Sequence, residues 1–381
     1  MRTKVAIIGG GIVGLSIAYN LVKKGERDVV IIDRKHIGYG SSTRSVAQFR
    51  THFWADENAL FAIESRKILL KAGGQLNFNP LVESNGYLWL LYDDEILEAY
   101  HRRNMRWSEL GVAGRLLSPE DVRVIHPYIN TQGMTGAFYG PQNGRLHHDF
   151  LMFGYRNAIL KEGGKVLEYL EAKKLLMNGN RIRAIETSSE PIEANKVVVA
   201  AGVWSNEILQ TVGLQLPITP ERKEVCVTEP MKPFIKTFVI NTKLKSFLIA
   251  QTLRGEGIGS LDHPPVKGTL QPGNTIEFLR EFSRAAIATI PALRKARMLR
   301  VWSGFYEVTP DHSHILGRNP EWPESLYVAA GFSGHGLMMA PLVGKVMAEL
   351  LLEEKVHPLM KPYSPTRFEE GKEIRETLVI G

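Results

Sequence analysis

The feature that most constrains this chain is a glycine turn close to its start. Gly9-x-Gly11-x-x-Gly14 follows the apolar run Val5-Ala6-Ile7-Ile8 and opens a helix-like stretch from Leu15 to Lys24. A second apolar strand, Val29 to Ile32, then ends on Asp33. Strand, tight turn, helix, strand and terminal acid together are the context that a dinucleotide fingerprint requires. The first glycine permits the turn, the second lets backbone approach a pyrophosphate, and the third lets helix and strand pack closely. The helix N-terminus offers unpaired N–H groups and a positive dipole end to the phosphates. Asp33 can accept both ribose hydroxyls and would repel a 2′-phosphate. A purely structural glycine turn is the plainer alternative, and the fingerprint alone does not separate FAD from NAD.

At 381 residues, 44% hydrophobic and 23% charged, the chain is long enough for two or three domains and is neither disordered nor fibrous. No apolar run approaches the ~18 residues of a membrane span, and a strand begins at Val5 with no long apolar leader before it. The single cysteine, Cys226, excludes an internal disulfide framework and a cysteine metal cage. These features lead us to expect a cytoplasmic protein, soluble or peripheral at the membrane. The formal charge of +7 is spread along the chain. Its densest stretches, His101-Arg102-Arg103 and Arg294-Lys295-Ala296-Arg297, read as solvated faces of amphipathic helices, with a docking surface for an acidic partner as the alternative. No aromatic-interleaved basic groove suggests nucleic acid, and no metal site is expected; one using His312 and His314 is the weakest reading.

Two further apolar runs, Val197-Val198-Val199 and Leu326-Tyr327-Val328, end in Ala200-Ala201-Gly202 and Ala329-Ala330-Gly331. Strands that stop at small residues and feed a helix place ligands at their carboxyl ends. Gly86 to Leu91, Glu224 to Thr228 and Phe247 to Gly259 read instead as an antiparallel sheet, and Ser118-Pro119 as a capped helix start. The expected fold is therefore α/β (α+β overall). A Rossmann-like dinucleotide domain (1–80, 141–212 and 301–381) is interleaved with a sheet-rich substrate domain (81–140 and 213–300).

Two loops favour flavin over nicotinamide. Gly38-Tyr39-Gly40-Ser41-Ser42-Thr43-Arg44-Ser45, directly after the acidic strand, offers further donors to the pyrophosphate, unless it is only a flexible loop. Gly331-Phe332-Ser333-Gly334-His335-Gly336-Leu337-Met338-Met339 lets backbone approach a flat ring, and the helix end behind it suits the negative charge of a reduced flavin at N1 and O2.

With Ala201-Gly202-Val203-Trp204-Ser205 and Thr309-Pro310-Asp311, these motifs fall in the order seen in the D-amino-acid oxidase and sarcosine oxidase superfamily, which the chain resembles over nearly its whole length. Within it, the chain looks most like the β subunits of heteromeric sarcosine oxidase and of archaeal dye-linked L-proline dehydrogenase. The resemblance implies non-covalent FAD held by Gly9, Gly11, Ile12, Val13, Gly14, Asp33, Arg34, Gly40, Ser41, Ser42, Arg44, Ser45, Val166, Ala201, Gly202, Trp204, Gly304, Gly334, His335, Gly336, Leu337 and Met338. It implies oxidation of an amino acid's C–N bond by hydride transfer to flavin N5. Arg50 falls where sarcosine oxidases hold the substrate carboxylate, and an ordinary ion pair is the alternative. Tyr306, His335 and Met338 complete the expected catalytic end, with Trp302 as a second candidate for shaping the pocket.

Departures from the family pattern narrow the reading. Val46-Ala47-Gln48-Phe49 stands where relatives carry two glycines, Gly304 where monomeric sarcosine oxidases carry the flavin-tethering cysteine, and Tyr306 where glycine and D-amino-acid oxidases carry an arginine. Met338 replaces a second carboxylate-binding lysine, and Gly257 falls near a lysine linked to oxygen activation. The balance favours a dehydrogenase passing electrons to FMN, a quinone or a dye through a partner subunit. In the heterotetrameric enzymes a His-Asp pair carries an interface FMN at the position of His148-Asp149; an exposed histidine pair is the alternative. The remaining alternatives are a glycine or D-amino-acid oxidase, a 2-hydroxy-acid dehydrogenase, a non-catalytic flavin electron-transfer subunit and an NAD enzyme.

Overall fold

A computed structural model describes residues 1–262, 266–268 and 270–377. Strand β1 (Arg2–Ile8) lies between two parallel neighbours, β2 (Val29–Ile32) and Ile192–Val199. They form the centre of an eight-stranded sheet, ordered Ile315–Gly317, Leu326–Ala330, Ile192–Val199, β1, β2 and Lys165–Leu167. An antiparallel ribbon, Ala172–Asn178 with Arg181–Thr187, pairs onto Ile192–Val199. Both faces of β1 are covered. Val5 and Ile7 pack into one core with helix α1 (Ile12–Lys23) and the last long helix, Gly336–Glu353, while Ala6 and Ile8 pack into another. A parallel strand buried on both faces reads as a continuous apolar run, which is why it was legible in sequence.

The second sheet has nine strands, ordered Val266–Lys267, Thr219–Pro230, Glu256–Ser260, Phe247–Gln251, Phe238–Asn241, Tyr87–Leu91, Gly136–Gly140 and Arg115–Leu117, with Met298–Val308 paired along Thr219–Pro230. Its core residues alternate. Leu88 and Leu90 meet Phe278 and Phe282 of helix Ile276–Thr289, whereas Tyr87, Trp89 and Leu91 meet Tyr100 and Trp107 of helix Asp94–Glu109. The sheet is not wholly antiparallel as expected, because Phe238–Asn241 runs parallel to Tyr87–Leu91. Strand Met298–Val308 runs in this sheet across the expected division between residues 300 and 301.

Ser118 caps helix Pro119–Ile125 in a reciprocal pair with Asp121. The first basic stretch is only partly a solvated face, since Arg103 donates inward to Asp56 Oδ1 (2.7 Å) and to the Phe53 carbonyl (3.1 Å). The second lies in and just beyond a 3₁₀ turn, Pro291–Lys295, rather than in an α-helix. Among the described residues no helix is long and apolar enough to cross a membrane.

Candidate active site

One long cleft runs from the carboxyl ends of the parallel strands to the inner face of the second sheet. At its first end Gly9 has φ +116°, and a Cβ there would lie 2.3 Å from the Ala200 carbonyl oxygen; one on Gly14 would lie 2.0 Å from the Gly9 oxygen. Only glycine fits either place. The Gly10 N–H donates to Asp33 Oδ2 and the Lys35 N–H to Oδ1, both at 2.8 Å, fixing the carboxylate at the end of β2. Burial nonetheless raises the Asp33 pKa above its ordinary value. Helix α1 opens with no side chain on its cap and no acidic residue in its first turn, and helix Gly336–Glu353 opens in the same way. Two positive helix ends therefore face the cleft with no built-in anion.

The loop after Asp33 is tied down rather than flexible. Ser42 Oγ accepts from the Ile12 N–H (3.0 Å), and Ser41 Oγ donates to the Phe305 carbonyl (2.6 Å). Arg44 donates through Nε to the Tyr39 carbonyl (3.2 Å) and through Nη1 to the Ser303 carbonyl (3.0 Å), so much of its fork braces the loop instead of pointing freely at phosphate. Gly304 leaves room for it, since a Cβ there would sit 3.1 Å from Arg44 Cβ. Trp302 is not a cleft residue; its indole N–H donates to the Arg44 carbonyl (2.9 Å). Near the outer end, Arg34 stacks on Trp204 (4.5 Å) and pairs with Glu207 (3.5 Å).

At the covered end Arg50 is 4% exposed. Its Nη2 donates to His335 Nε2 (3.0 Å), and its guanidinium lies over the Phe53 ring (4.4 Å). An acceptor Nε2 makes His335 the neutral tautomer with hydrogen on Nδ1. Burial, together with the Arg50 charge, holds the His335 pKa well below the usual imidazole range. Burial also lowers the Arg50 pKa, opposed most strongly by the negative charge of Glu376. Glu376 reaches this place on the C-terminal tail, where it accepts from the Trp54 and Ala55 N–H groups, each at 3.1 Å. The tail is anchored by a buried pair in which Arg367 Nε and Nη2 donate to Asp311 at 2.8 and 3.0 Å. Tyr306, Tyr87, Phe238, Leu248 and Met338 complete the walls, and Lys223 Nζ lies 5.6 Å from the Tyr306 ring centre. Burial pushes the Tyr306 phenol up to about 12, so it stays protonated.

Of the site residues expected from sequence, all line this cleft except Gly14, Val166, His148 and Trp302. Gly14 acts beneath it, in helix–strand packing. Val166 sits in the strand beside β2 and its side chain packs against a core, while Glu171 and Ala172 border the cleft at that end. His148 lies at the start of helix His148–Lys161, with Nδ1 2.9 Å from Asp149 Oδ1. His147, His148 and Asp149 bring their ligand atoms within 4.8 Å of one another, but His147 also stacks on Phe150 (4.0 Å). His314 is sandwiched between Phe332 and Tyr363. Lys223, Glu307 and Glu376 were missed. None falls in a glycine motif, and a lone charge in a strand or tail carries no local signal.

A dinucleotide cleft that opens on two bare helix ends and closes over a buried arginine defines a dinucleotide-dependent enzyme with a covered substrate chamber. The chain belongs to the FAD dependent oxidoreductase family (DAO), whose model matches residues 4–350. It is 30% identical over 374 residues to the sarcosine oxidase subunit beta of Rhizobium meliloti (strain 1021), covering 96% of this chain and 88% of that one. Among solved structures it resembles L-proline dehydrogenase from P. horikoshii, with TM-score 0.93, 34% identity and coverage of 98% and 99% of the two chains. It shares the fold of glycine oxidase from Geobacillus kaustophilus (TM-score 0.88, 24% identity, coverage of 96% and 99%). FAD fits the residues present. The glycine turns are places a Cβ would fill, Asp33 ends β2, and the buried Oε2 of Glu307 has no partner among the described residues.

Proposed function

We propose that this chain oxidises the C–N bond of a small amino acid, a secondary amine such as L-proline or sarcosine, as the catalytic subunit of a dehydrogenase complex. The observation that carries this reading is Arg50, a buried guanidinium at the closed end of the flavin cleft, oriented by a neutral histidine. When bound, FAD supplies the two-electron acceptor for the carbon bearing nitrogen. The chain's own residues bind and orient. Arg50 offers a planar fork to the substrate carboxylate, and holding the acid at a fixed point sets the Cα–H in attack position. Tyr87, Phe238 and Leu248 keep water out, and the nearby Arg50 and Lys223 charges disfavour an ammonium, so the amine is held neutral.

His335 Nε2 already accepts from Arg50, which leaves His335 a positioning residue rather than a base. Met338 puts a thioether where the sarcosine enzymes carry a second cation, which suits a chamber for one carboxylate. The names of the Rhizobium relative and the P. horikoshii structure support the substrate class, and the first, a subunit beta, supports a multi-subunit assembly. Electrons then leave to a quinone, a dye or an FMN, and His148 with Asp149 marks the place for that FMN.

The test is an anaerobic visible spectrum of the purified chain with L-proline, sarcosine, glycine and lactate in turn. Bleaching by proline or sarcosine is expected. Bleaching by lactate alone would move the chain to 2-hydroxy acids, and a yellow protein indifferent to all four would place catalysis elsewhere in the complex.

A further inference from the structure

Glu307 lies between the two halves of the cofactor cleft and takes no part in the chemistry above. It sits near the end of strand Met298–Val308, where its own carbonyl accepts from the Ser333 N–H (3.1 Å). The backbone N–H groups of Gly331 and Phe332 lie close enough to its carboxyl group to lower its pKa against the effect of burial. Its Oε2 is buried and has no hydrogen-bond partner among the described residues. A Cβ built on Gly202 would lie 4.0 Å from it. Gly202 closes the turn that begins at Ala200, and the Ala200 carbonyl is the atom against which Gly9 is packed. The unpartnered oxygen is thus aimed between the glycine turn of the first strand and the glycine loop of the last.

A buried carboxyl oxygen left without a partner is costly, and native proteins seldom leave one. The ligand expected in this cleft is an anionic dinucleotide rich in acceptor oxygens. A carboxylate would repel it, whereas a carboxylic acid can donate to it.

We propose that Glu307 is a cofactor-facing acid, protonated in the loaded protein and donating from Oε2 to an oxygen of FAD where the cofactor passes Gly202. Burial alone already pushes this carboxyl up to about 7, opposed only by the two backbone N–H groups. The titratable groups on the surrounding elements are Tyr306 on its own strand, His335 on the glycine loop, Glu221 and Lys223 on the paired strand, and Asp33 at the end of β2. None of them is among the causes acting on Glu307.

The test uses the full-length chain freed of flavin and titrated with FAD, read by quenching of flavin fluorescence between pH 5.5 and 8.5. If binding requires the proton, affinity is level below pH 6 and falls about tenfold per unit above pH 7, because one proton is taken up with each FAD. Glu307→Gln, whose amide can still donate, should bind FAD with a flat profile above pH 7. Proton uptake on adding FAD to the unaltered chain in weak buffer gives a second reading that needs no variant, with close to one proton per FAD at pH 8 and close to none at pH 5.5. A flat wild-type profile without proton uptake, or a Glu307→Gln slope equal to wild type, would overturn the proposal. Absence of FAD binding at every pH would overturn the cofactor assignment as well, so the two failures are distinguishable.

Discussion

At the Gly9 end of the cleft, the residues that build the turn lie almost wholly between Gly9 and Asp33, with Ser42 and Ala200 closing it. At the Arg50 end, Arg50, Tyr87, Lys223, Tyr306 and His335 come from distant parts of the chain and meet only because the second sheet folds over the first. The first end works through backbone, with glycines that admit a ligand and helix ends that bind anions. The second works through side chains, one of which fixes another. The backbone half can serve any chemistry a flavin performs, whereas the side-chain half decides which molecule is oxidised.

Breaking each half separately should show this division. Arg50→Met removes the buried cation and should lower kcat/KM by about 10³-fold, roughly 4 kcal/mol, while the FAD content of the purified protein stays unchanged. Parallel loss of FAD would mean that the halves are not separable. Gly9→Ala attacks the other half. Its Cβ has no room beside Ala200 and its φ lies in the glycine region, so a loss of about 3 kcal/mol of stability and a colourless product are expected in denaturation and absorbance measurements. His335→Ala should act only through Arg50, raising KM by about 10- to 30-fold (~2 kcal/mol) with a smaller change in kcat. His335→Gln, whose amide oxygen can accept from Nη2, should restore most of it; equal defects in both would assign His335 a different role. The smallest effect belongs to Ala47, which holds φ +57°, in the left-handed region that favours glycine. Ala47→Gly should gain about 0.5–1 kcal/mol in urea denaturation by relieving left-handed strain, with substrate kinetics unchanged.

The contrast also explains what could be read from sequence. The glycine turn, Asp33 and the parallel strands were legible because each is a local pattern set by backbone geometry and by burial on two faces. Arg50 and His335 were individually legible through the family resemblance, but their hydrogen bond was not, since nothing in the chain between them encodes a contact across 285 positions. Val166 was read as a backbone contact to the cofactor from the position of its strand; its side chain packs against the core and its backbone pairs beside β2. Arg44 was read as a phosphate donor because it sits among glycines and hydroxyls; the carbonyls of Tyr39 and Ser303 that take its Nε and Nη1 are visible only in three dimensions. Glu307 and Glu376 gave no signal, because a buried acid is defined by what surrounds it rather than by its neighbours in sequence.

The most direct test of the central claim, that Arg50 selects substrates by their carboxylate at the closed end of a flavin cleft, is an anaerobic titration of the purified chain with L-proline and with L-prolinamide, followed by flavin absorbance. The account predicts bleaching by the free acid and none by the amide at the same concentration. Bleaching by both at equal concentration would contradict it.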